Sequence, residues 1–302
     1  MMKIIDFHTH VGDIFHENRS ITFKTNYQKG DYVDPFIPFE ESGYNMPFFP
    51  ESPEALQQLI DAGQYRVWEC TMENFARDMT ENEIAYACLL PVLPNTSFEE
   101  YLAVSKLDSR FIPFSCANFD LEIPEMEQKL KLDIEKGAKA LKVHPILQNI
   151  SLENAKVEAA VDLFGKAGLP IIFHVGIGQY YGPETNYPQN PEFGDPQYFY
   201  DFAPRFKDYS LIAAHCCGWP EAFAENTKGL ENVYTDTTFC NAELIKKGVE
   251  LLGEDRVLFG TDHPFGSFKY SILEVKKALA DNPQAMEKVF YHNAARLLRL
   301  ED

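Results

Sequence analysis

Histidine and aspartate, both ligands of divalent metal ions, recur in this chain at the ends of apolar runs. The first case is the pair His8 and His10, which closes the segment Lys3-Ile-Ile-Asp-Phe-His-Thr-His10. Alternate residues of a β-strand point to the same face, so a strand ending in His-x-His holds two imidazoles side by side, as a single metal ion requires. Because such a pair also arises by chance, it is a weak signal when it stands alone.

Three further apolar runs end in residues of the same kind, namely His174, His215 and Asp262. Neutral imidazoles with one carboxylate are the ligands that Zn²⁺ prefers, and a catalytic zinc ion keeps an open position for water. The sequence therefore predicts one metal centre. Its predicted ligands are His8, His10, His174 and Asp262.

The chemistry of such a centre follows from the charge of the ion. Water bound to zinc loses much of its proton affinity, so hydroxide forms near neutral pH. We expect Asp262 to contact both metal and water and to carry the proton to a leaving group. We expect His215, on the sixth strand, to polarise a substrate carbonyl or to stabilise charge on its oxygen.

The spacing of β-branched, apolar runs predicts the elements that position these residues. Eight such runs begin near Lys3, Ala85, Phe111, Ala138, Leu169, Ser210, Val233 and Val257. From the second run onward, each gap leaves room for one helix and two loops. Eight strands that alternate with helices make an α/β fold, and in a chain of 302 residues they close a (β/α)8 barrel.

The predicted helices carry one apolar face each. They span 155–167, 244–252 and 270–280, and the first of them places Val157, Ala160, Val161 and Phe164 on one side. Gly137, Gly168 and Gly253 stand where helices are expected to end.

Two segments interrupt the alternation of strands and helices. The segment from Val11 to about Pro53 and the segment 177–196 are rich in aromatic residues, Pro and Gly, and follow strands that end in candidate ligands. Loops of this kind rise at the carboxyl end of a barrel, so we expect both segments to cover the pocket. A linker to a second domain is the alternative for 11–53, but the Phe and Tyr content favours packing. We therefore predict a single domain over 1–302.

The composition excludes several classes of partner. Asp and Glu number 46 against 27 Lys and Arg, and the net charge of -19 repels nucleic acid and anionic lipid. No run approaches the roughly 20 apolar residues that span a bilayer. The six cysteines form no Cys-x-x-Cys pair, which favours buried thiols in a reducing cytoplasm. A homodimer is the commonest assembly for such a chain.

The sequence resembles the amidohydrolase superfamily, and within it the branch of aminocarboxymuconate semialdehyde decarboxylase, resorcylate-type decarboxylases and several lactone hydrolases. The matching segments are Ile5–His10, Ala140–Pro145, Ile172–Gly176, Leu211–Gly218, Asn232–Asp236, Asp255–Phe265 and His292–Leu298. The resemblance implies a distorted (β/α)8 TIM barrel. It places the metal ligands at His8, His10, His174 and Asp262, and an assisting histidine at His215. Only about 11–80 is unmatched, where we expect a lid or specificity insertion.

The resemblance leaves the number of metal ions open. Superfamily members with two metal ions bridge them with a carboxylated lysine at the end of the fourth strand, where this chain has Lys142. The branch it resembles is mostly mononuclear, so we expect one Zn²⁺, with Mn²⁺ or a second metal ion as alternatives. His144 has the same parity as Lys142 on the strand. We expect both to line the pocket and contact substrate, and a His144 packed behind the ligands is the equal alternative.

Three functions fit these residues. The first is a metal-dependent hydrolase that directs zinc-activated water at a carbonyl or lactone of a small-molecule substrate. The second is a non-oxidative decarboxylase of a small aromatic or unsaturated carboxylic acid, which would use the same ligands. The third is a barrel that binds metal or ligand without turnover, and it is disfavoured because every catalytic position is filled.

Overall fold

A computed structural model of the protein describes residues 2–15, 32–47, 52–182 and 186–300. Parts of the two expected lid segments, 16–31, 48–51 and 183–185, lie outside the described residues. The strands are β1 Ile5–Thr9, β2 Tyr86–Leu89, β3 Phe111–Pro113, β4 Ser115–Cys116, β5 Leu141–Val143, β6 Ile171–Phe173, β7 Leu211–Ala213, β8 Val233–Asp236 and β9 Val257–Leu258. The α-helices are α1 Phe36–Glu41, α2 Pro53–Glu69, α3 Met72–Glu81, α4 Phe98–Leu107, α5 Ile123–Glu135, α6 Ala155–Lys166, α7 Pro196–Phe202, α8 Pro220–Asn226, α9 Ala242–Leu252, α10 Phe268–Ala278, α11 Pro283–Glu287 and α12 Asn293–Leu298.

The strands pair in parallel and in chain order, as two sheets that one residue joins. β1, β2 and β3 form one sheet, and β4 to β9 form the other. Between β3 and β4, the Phe114 N–H donates to the Leu89 carbonyl at 3.0 Å, and the next N–H, of Ser115, donates to the Ala140 carbonyl at 2.8 Å. β3 and β4 are therefore one barrel strand, which changes partner at Phe114.

The last strand returns to the first and closes the ring. The Phe7 N–H donates to the Phe259 carbonyl at 2.9 Å, and the Asp262 N–H donates to the His8 carbonyl at 2.8 Å. An isolated parallel bridge joins Thr9 to His263. The predicted α/β barrel of eight parallel strands is confirmed, and each strand lies within three residues of its predicted start.

The core has an outer and an inner part. The outer cluster packs strand residues such as Val143 and Phe173 against the helices, including the predicted face of α6. The inner cluster holds alternate strand residues such as Ile172 and Ile212, and α12 packs on it through Ala294 and Leu298. The alternation of faces along each strand thus separates the barrel interior from the helix layer.

The three predicted helices are confirmed as α6, α9 and α10, with bounds that differ by at most two residues. The helices α1, α2 and α3, which lie between β1 and β2, were not predicted. Two of them begin at residues whose side chains cap the first turn, Ser52 for α2 and Thr71 for α3. These caps are the sequence signal that periodicity did not supply.

All six cysteines are buried and free, as the sequence predicted. No helix in the part of the chain that the structure describes is long and apolar enough to cross a membrane.

Candidate metal centre and active site

The carboxyl ends of the strands open into one cavity of about 620 Å³. The strands position the predicted residues there because each one lies in the last two residues of a strand or one to four residues beyond it. The predicted site residues that line this cavity are His8, His10, Lys142, His144, His174, His215 and Asp262.

His8, His10 and Asp262 form a compact group. Asp262 Oδ1 lies 3.3 Å from His8 Nε2 and 3.2 Å from His10 Nε2. The two imidazoles are almost wholly buried. The ligand atoms of the three residues lie within 4.8 Å of one another, a spacing that could hold one metal ion.

Hydrogen bonds on the far side of each ring fix which nitrogen faces this group. His8 Nδ1 lies 2.8 Å from Asp236 Oδ2, and His10 Nδ1 lies 2.7 Å from the Leu90 carbonyl oxygen. Because both partners are acceptors, each Nδ1 carries the proton and each Nε2 turns a lone pair towards Asp262. Two imidazole lone pairs and a carboxylate that converge in this way fit a divalent metal ion.

His174 faces His215 rather than this compact group. Its Nε2 lies 3.0 Å from the Gly176 carbonyl and 3.1 Å from the Tyr180 hydroxyl, and its Nδ1 lies 3.1 Å from His215 Nε2. The Gly176 carbonyl is an acceptor, so Nδ1 is the nitrogen left with a lone pair. The structure thus brings three of the four predicted ligands together and sets His174 beside them, with Nδ1 as its available atom.

Asp236 is a site residue that the sequence analysis assigned no role. It is fully buried at the end of β8, where one carboxylate oxygen accepts from His8 Nδ1 and the other accepts from the His215 backbone N–H at 2.9 Å. His215 itself has a left-handed backbone with φ of 69°. The sequence signal for Asp236 was its position at the end of a strand, the same signal that identified the candidate ligands.

Burial keeps three histidines of the site, His8, His174 and His215, neutral. It lowers the pKa of His8 and His174 well below the ordinary value and lowers the pKa of His215 to about 3. For Asp262, burial alone would raise the pKa, but the basic groups around it, His8, His10 and Lys142, outweigh burial and the net shift is downward. The site therefore combines these three neutral imidazoles with an ionised carboxylate, the protonation states that metal ligands need.

Lys142 lies beside the compact group. Its Nζ donates to His8 Nε2 at 3.3 Å, and the side chain is wholly buried. Burial lowers the pKa of Lys142 to about 8, although the carboxylates of Asp262 and Asp236 oppose this shift. Lys142 is thus a cation that can readily lose its proton at the floor of the cavity.

His144 both lines the cavity and packs against a candidate ligand. Its ring is stacked on His174, with centroids 4.2 Å apart and an interplanar angle of 4°. Its Nδ1 accepts from the Leu147 backbone N–H at 3.3 Å, which leaves the proton on Nε2. The position of His144 therefore combines the two alternatives: the ring lines the cavity and also packs against His174.

The cavity walls are mainly apolar and come from both expected lid segments. The 11–80 segment contributes Phe15, Phe36 and Ile60, and the 177–196 segment contributes Tyr180. Thr238 also lines the cavity. Its hydroxyl is buried, 1% of the residue being exposed, and has no hydrogen-bond partner among the described residues.

A family model described as amidohydrolase matches residues 5–300. The chain therefore belongs to the amidohydrolase family and is an enzyme of it, as the resemblance implied. No curated protein sequence matches the chain.

Solved structures of TIM-barrel enzymes align with the whole chain. 5-Carboxyvanillate decarboxylase from Sphingomonas paucimobilis has a TM-score of 0.67, 11% identity and 100% coverage of both chains. The Novosphingobium aromaticivorans enzyme of the same name, a variant with bound manganese and a nitrobenzoic acid, has a TM-score of 0.64 and 14% identity over 99% of this chain and 97% of its own. A probable 2-pyrone-4,6-dicarboxylic acid hydrolase from Acinetobacter baumannii has a TM-score of 0.60 and 11% identity over 99% and 100%. These similarities show the shared barrel.

Proposed function

We propose that this enzyme is a metal-dependent, non-oxidative decarboxylase of a small aromatic carboxylic acid. The observation that carries this proposal is the lining of the cavity. Lys142 is the only Lys or Arg among the described residues that line it, and the walls are aromatic and aliphatic. A planar apolar ring with one carboxylate suits such a cavity, with the carboxylate directed to Lys142 and the compact group.

Two of the similar structures are decarboxylases of an aromatic acid, 5-carboxyvanillate, and so support the same chemistry here. This support favours the function that the sequence analysis treated as the alternative over the hydrolase that it placed first.

The residues present fit one divalent ion. We propose that His8 Nε2, His10 Nε2, His174 Nδ1 and Asp262 Oδ1 would hold it. When bound, the ion would draw electron density from the substrate oxygens and fix the orientation of the carboxylate. Zn²⁺ is our prediction from the donor set, and Mn²⁺ is the alternative that a similar structure contains.

Each of the site residues then has a defined role in the proposed reaction. Lys142 Nζ binds the substrate carboxylate, and the His144 Nε2–H and the Thr238 hydroxyl donate to substrate oxygens. Asp262, an ionised carboxylate, accepts a proton from a substrate hydroxyl or from water. The bond between ring and carboxylate then breaks, CO₂ leaves, and Asp262 delivers its proton to the ring carbon. His215 Nε2–H stabilises the negative charge that develops on the substrate oxygen.

Hydrolysis of a lactone or carbonyl is the second candidate, because a similar structure is a probable pyrone dicarboxylic acid hydrolase. Decarboxylation is preferred because two of these similar structures are decarboxylases of an aromatic acid, whereas one is a probable hydrolase. A barrel without turnover is not favoured, since the family is one of enzymes.

The experiment that tests the proposed function compares reaction products. Protein loaded with Mn²⁺ or Zn²⁺ is incubated with a panel of hydroxybenzoic acids and, separately, with lactones and esters. We expect CO₂ release from at least one acid and no lactone hydrolysis. Hydrolysis of lactones without CO₂ release from any acid would replace the proposal by the hydrolase.

The variant Asp262→Asn tests the proton transfer. The amide cannot accept and deliver a proton, so we expect kcat to fall by at least about a hundredfold, while the protein keeps part of its bound metal. Metal content by elemental analysis and CO₂ release are measured together. The matched control is Asp281→Asn, which removes an exposed carboxylate. Full activity in Asp262→Asn would refute the role of Asp262.

Four predictions from the sequence remain proposals. We propose one domain over 1–302, specificity determinants in 11–80 and 177–196, a cytoplasmic location and a homodimer. Both segments contribute to the cavity walls, which supports the second of these.

A further inference from the structure

Arg66, on α2, does not line the cavity, yet it is nearly buried, with 14% of its side chain exposed. It binds two carboxylates of the 11–80 segment. Its Nε donates to Asp34 Oδ2 at 2.9 Å, and its Nη1 donates to Glu40 Oε1 at 2.6 Å. The guanidinium also lies over the ring of Phe36, 4.7 Å from its centroid. Arg66 thus ties α1 to α2.

The same guanidinium reaches the segment that follows Asp262. Its Nη1 donates to the carbonyl oxygens of Pro264 at 3.2 Å and Phe265 at 2.9 Å. The Phe265 N–H donates in turn to the Asp262 carbonyl at 2.8 Å. Two hydrogen bonds therefore separate the Arg66 guanidinium from the backbone of Asp262.

The backbone of Asp262 needs such support. Its φ is 60°, in the left-handed region that residues with a Cβ rarely adopt, and this conformation persists only where its surroundings hold it. On the N-terminal side, Asp6 accepts from the Thr261 hydroxyl at 2.6 Å. On the C-terminal side, the Phe265 turn and Arg66 provide the contacts.

We infer that Arg66 is a positioning residue, through which the inserted helices α1 and α2 hold Asp262 in its metal-facing conformation. The inference deepens the proposed function and rests on it for the role of Asp262. The 11–80 segment then has a second role besides forming the pocket wall, because its helices α1 and α2 hold in place the turn that follows β9, the last barrel strand. A lysine could replace the charge but not the four contacts, because the guanidinium reaches these acceptors from two nitrogens, Nε and Nη1, whereas a lysine has one.

The first test measures metal binding and needs no substrate. The metal-free proteins are titrated with Mn²⁺ and their folding is checked by near-ultraviolet circular dichroism. We expect the dissociation constant to rise about tenfold in Arg66→Gln and Arg66→Lys, because residues that orient ligands affect metal affinity by about 10–100-fold. The control Arg77→Gln alters an arginine of α3 that is 58% exposed, and it should bind as the wild type does.

Unchanged Mn²⁺ affinity in folded Arg66 variants would overturn the inference. If Arg66→Gln fails to fold, Arg66→Lys decides, because it keeps the charge opposite Asp34 and Glu40. Loss of folding in both variants would also overturn the inference, in favour of a purely structural arginine.

The second test measures turnover on the acid that the wild type decarboxylates fastest. We expect kcat to fall about 10–100-fold at saturating Mn²⁺ while KM changes less than about twofold, because a displaced proton carrier impairs the reaction more than binding. An unchanged kcat would contradict the inference. A wild type that decarboxylates none of the acids would refute the proposed function alone, and the metal titration would still decide the role of Arg66.

Discussion

Asp236 shows how one buried carboxylate can set two neighbours at once. It accepts from the ring of His8 and from the backbone of His215, so it fixes the orientation of a candidate ligand and of a candidate catalytic residue. Two residues further along, Thr238 has a buried hydroxyl that lines the same cavity. Asp236 thus holds protein groups in place, whereas the Thr238 hydroxyl, which has no partner in the part of the chain that the structure describes, is the group that we propose binds substrate.

The unpaired hydroxyl of Thr238 can be tested by the nearly isosteric change Thr238→Val. A buried unpaired hydroxyl costs about 1–3 kcal/mol, so its loss is expected to leave stability unchanged or higher. The lost hydrogen bond to substrate should lower kcat/KM about tenfold for a hydroxylated acid, which corresponds to about 1.4 kcal/mol. Kinetics and thermal unfolding are measured on the same preparations.

The control is Thr237→Val, since the Thr237 hydroxyl donates to the Gly260 carbonyl at 3.2 Å. We expect this control to lower the melting temperature. The expectation for Thr238 fails if Thr238→Val is destabilised as much as Thr237→Val and turns over substrate as the wild type does.

At the scale of elements, the loop after β6 is closely packed at the point where Gly176 meets Gly194. The Gly176 N–H donates to the Gly194 carbonyl at 2.7 Å, and the Gly176 carbonyl faces His174. A Cβ on Gly194 would overlap the Gly176 carbonyl oxygen and lie 2.7 Å from Ile146 Cδ1. The glycine at 194 is therefore a requirement of close packing.

We expect Gly194→Ala to lower the free energy of unfolding by about 1–3 kcal/mol, the usual cost of overpacking. Urea unfolding of the metal-free protein measures it. In the comparison variant Gly218→Ala, the new Cβ meets nothing within 4 Å, and little change is expected. Equal stability of the two variants would show that the loop can adjust.

The predictability of the elements follows from how each is buried. The barrel strands were predicted because each is a short apolar run, and α6 because its buried residues recur at helical spacing. In α2 the buried residues are Ile60, Ala62, Gly63, Tyr65 and Val67, a spacing that marks no single face. Ala62 and Val67 pack in one apolar cluster with Phe36 of α1 and with Phe265. Because Ala62 and Val67 lie on different sides of the helix, no single stripe of apolar residues reveals it.

The site residues also differ in how far the sequence could predict them. The clustering of the candidate ligands was predictable, because a parallel barrel brings all its strand ends together. The roles of Asp236 and Arg66 were not, because they depend on contacts between residues 228 and 199 positions apart in the chain, with His8 and Phe265. Local sequence does not encode such pairings.

At the scale of the whole molecule, stability should depend on pH through Asp133. This residue is 1% exposed, and burial raises the pKa of its carboxyl, although Ser115 and Lys129 oppose the shift. The unfolded chain therefore ionises at lower pH than the folded protein. The stabilising contribution is present in acid and is lost as pH rises through the folded pKa.

We expect Asp133→Asn to be more stable than the wild type by an amount that grows as pH rises from about 4 to 7, since asparagine does not titrate. Urea unfolding at three pH values measures this. Asp120→Asn, at an exposed position, makes the same change in net charge. A gain that is equal at every pH, or equal in the two variants, would contradict the expectation.

The closure of the ring also has a consequence for biosynthesis. The strand that carries His8 leaves the ribosome before its neighbour around Asp262, which lies 254 residues further along the chain. Until that neighbour has been made, a nascent chain holds only part of the candidate metal group. Loading of the proposed ion is therefore expected only after Asp262 has packed beside His8 and His10, and cells starved of metal should accumulate folded protein that can still be loaded.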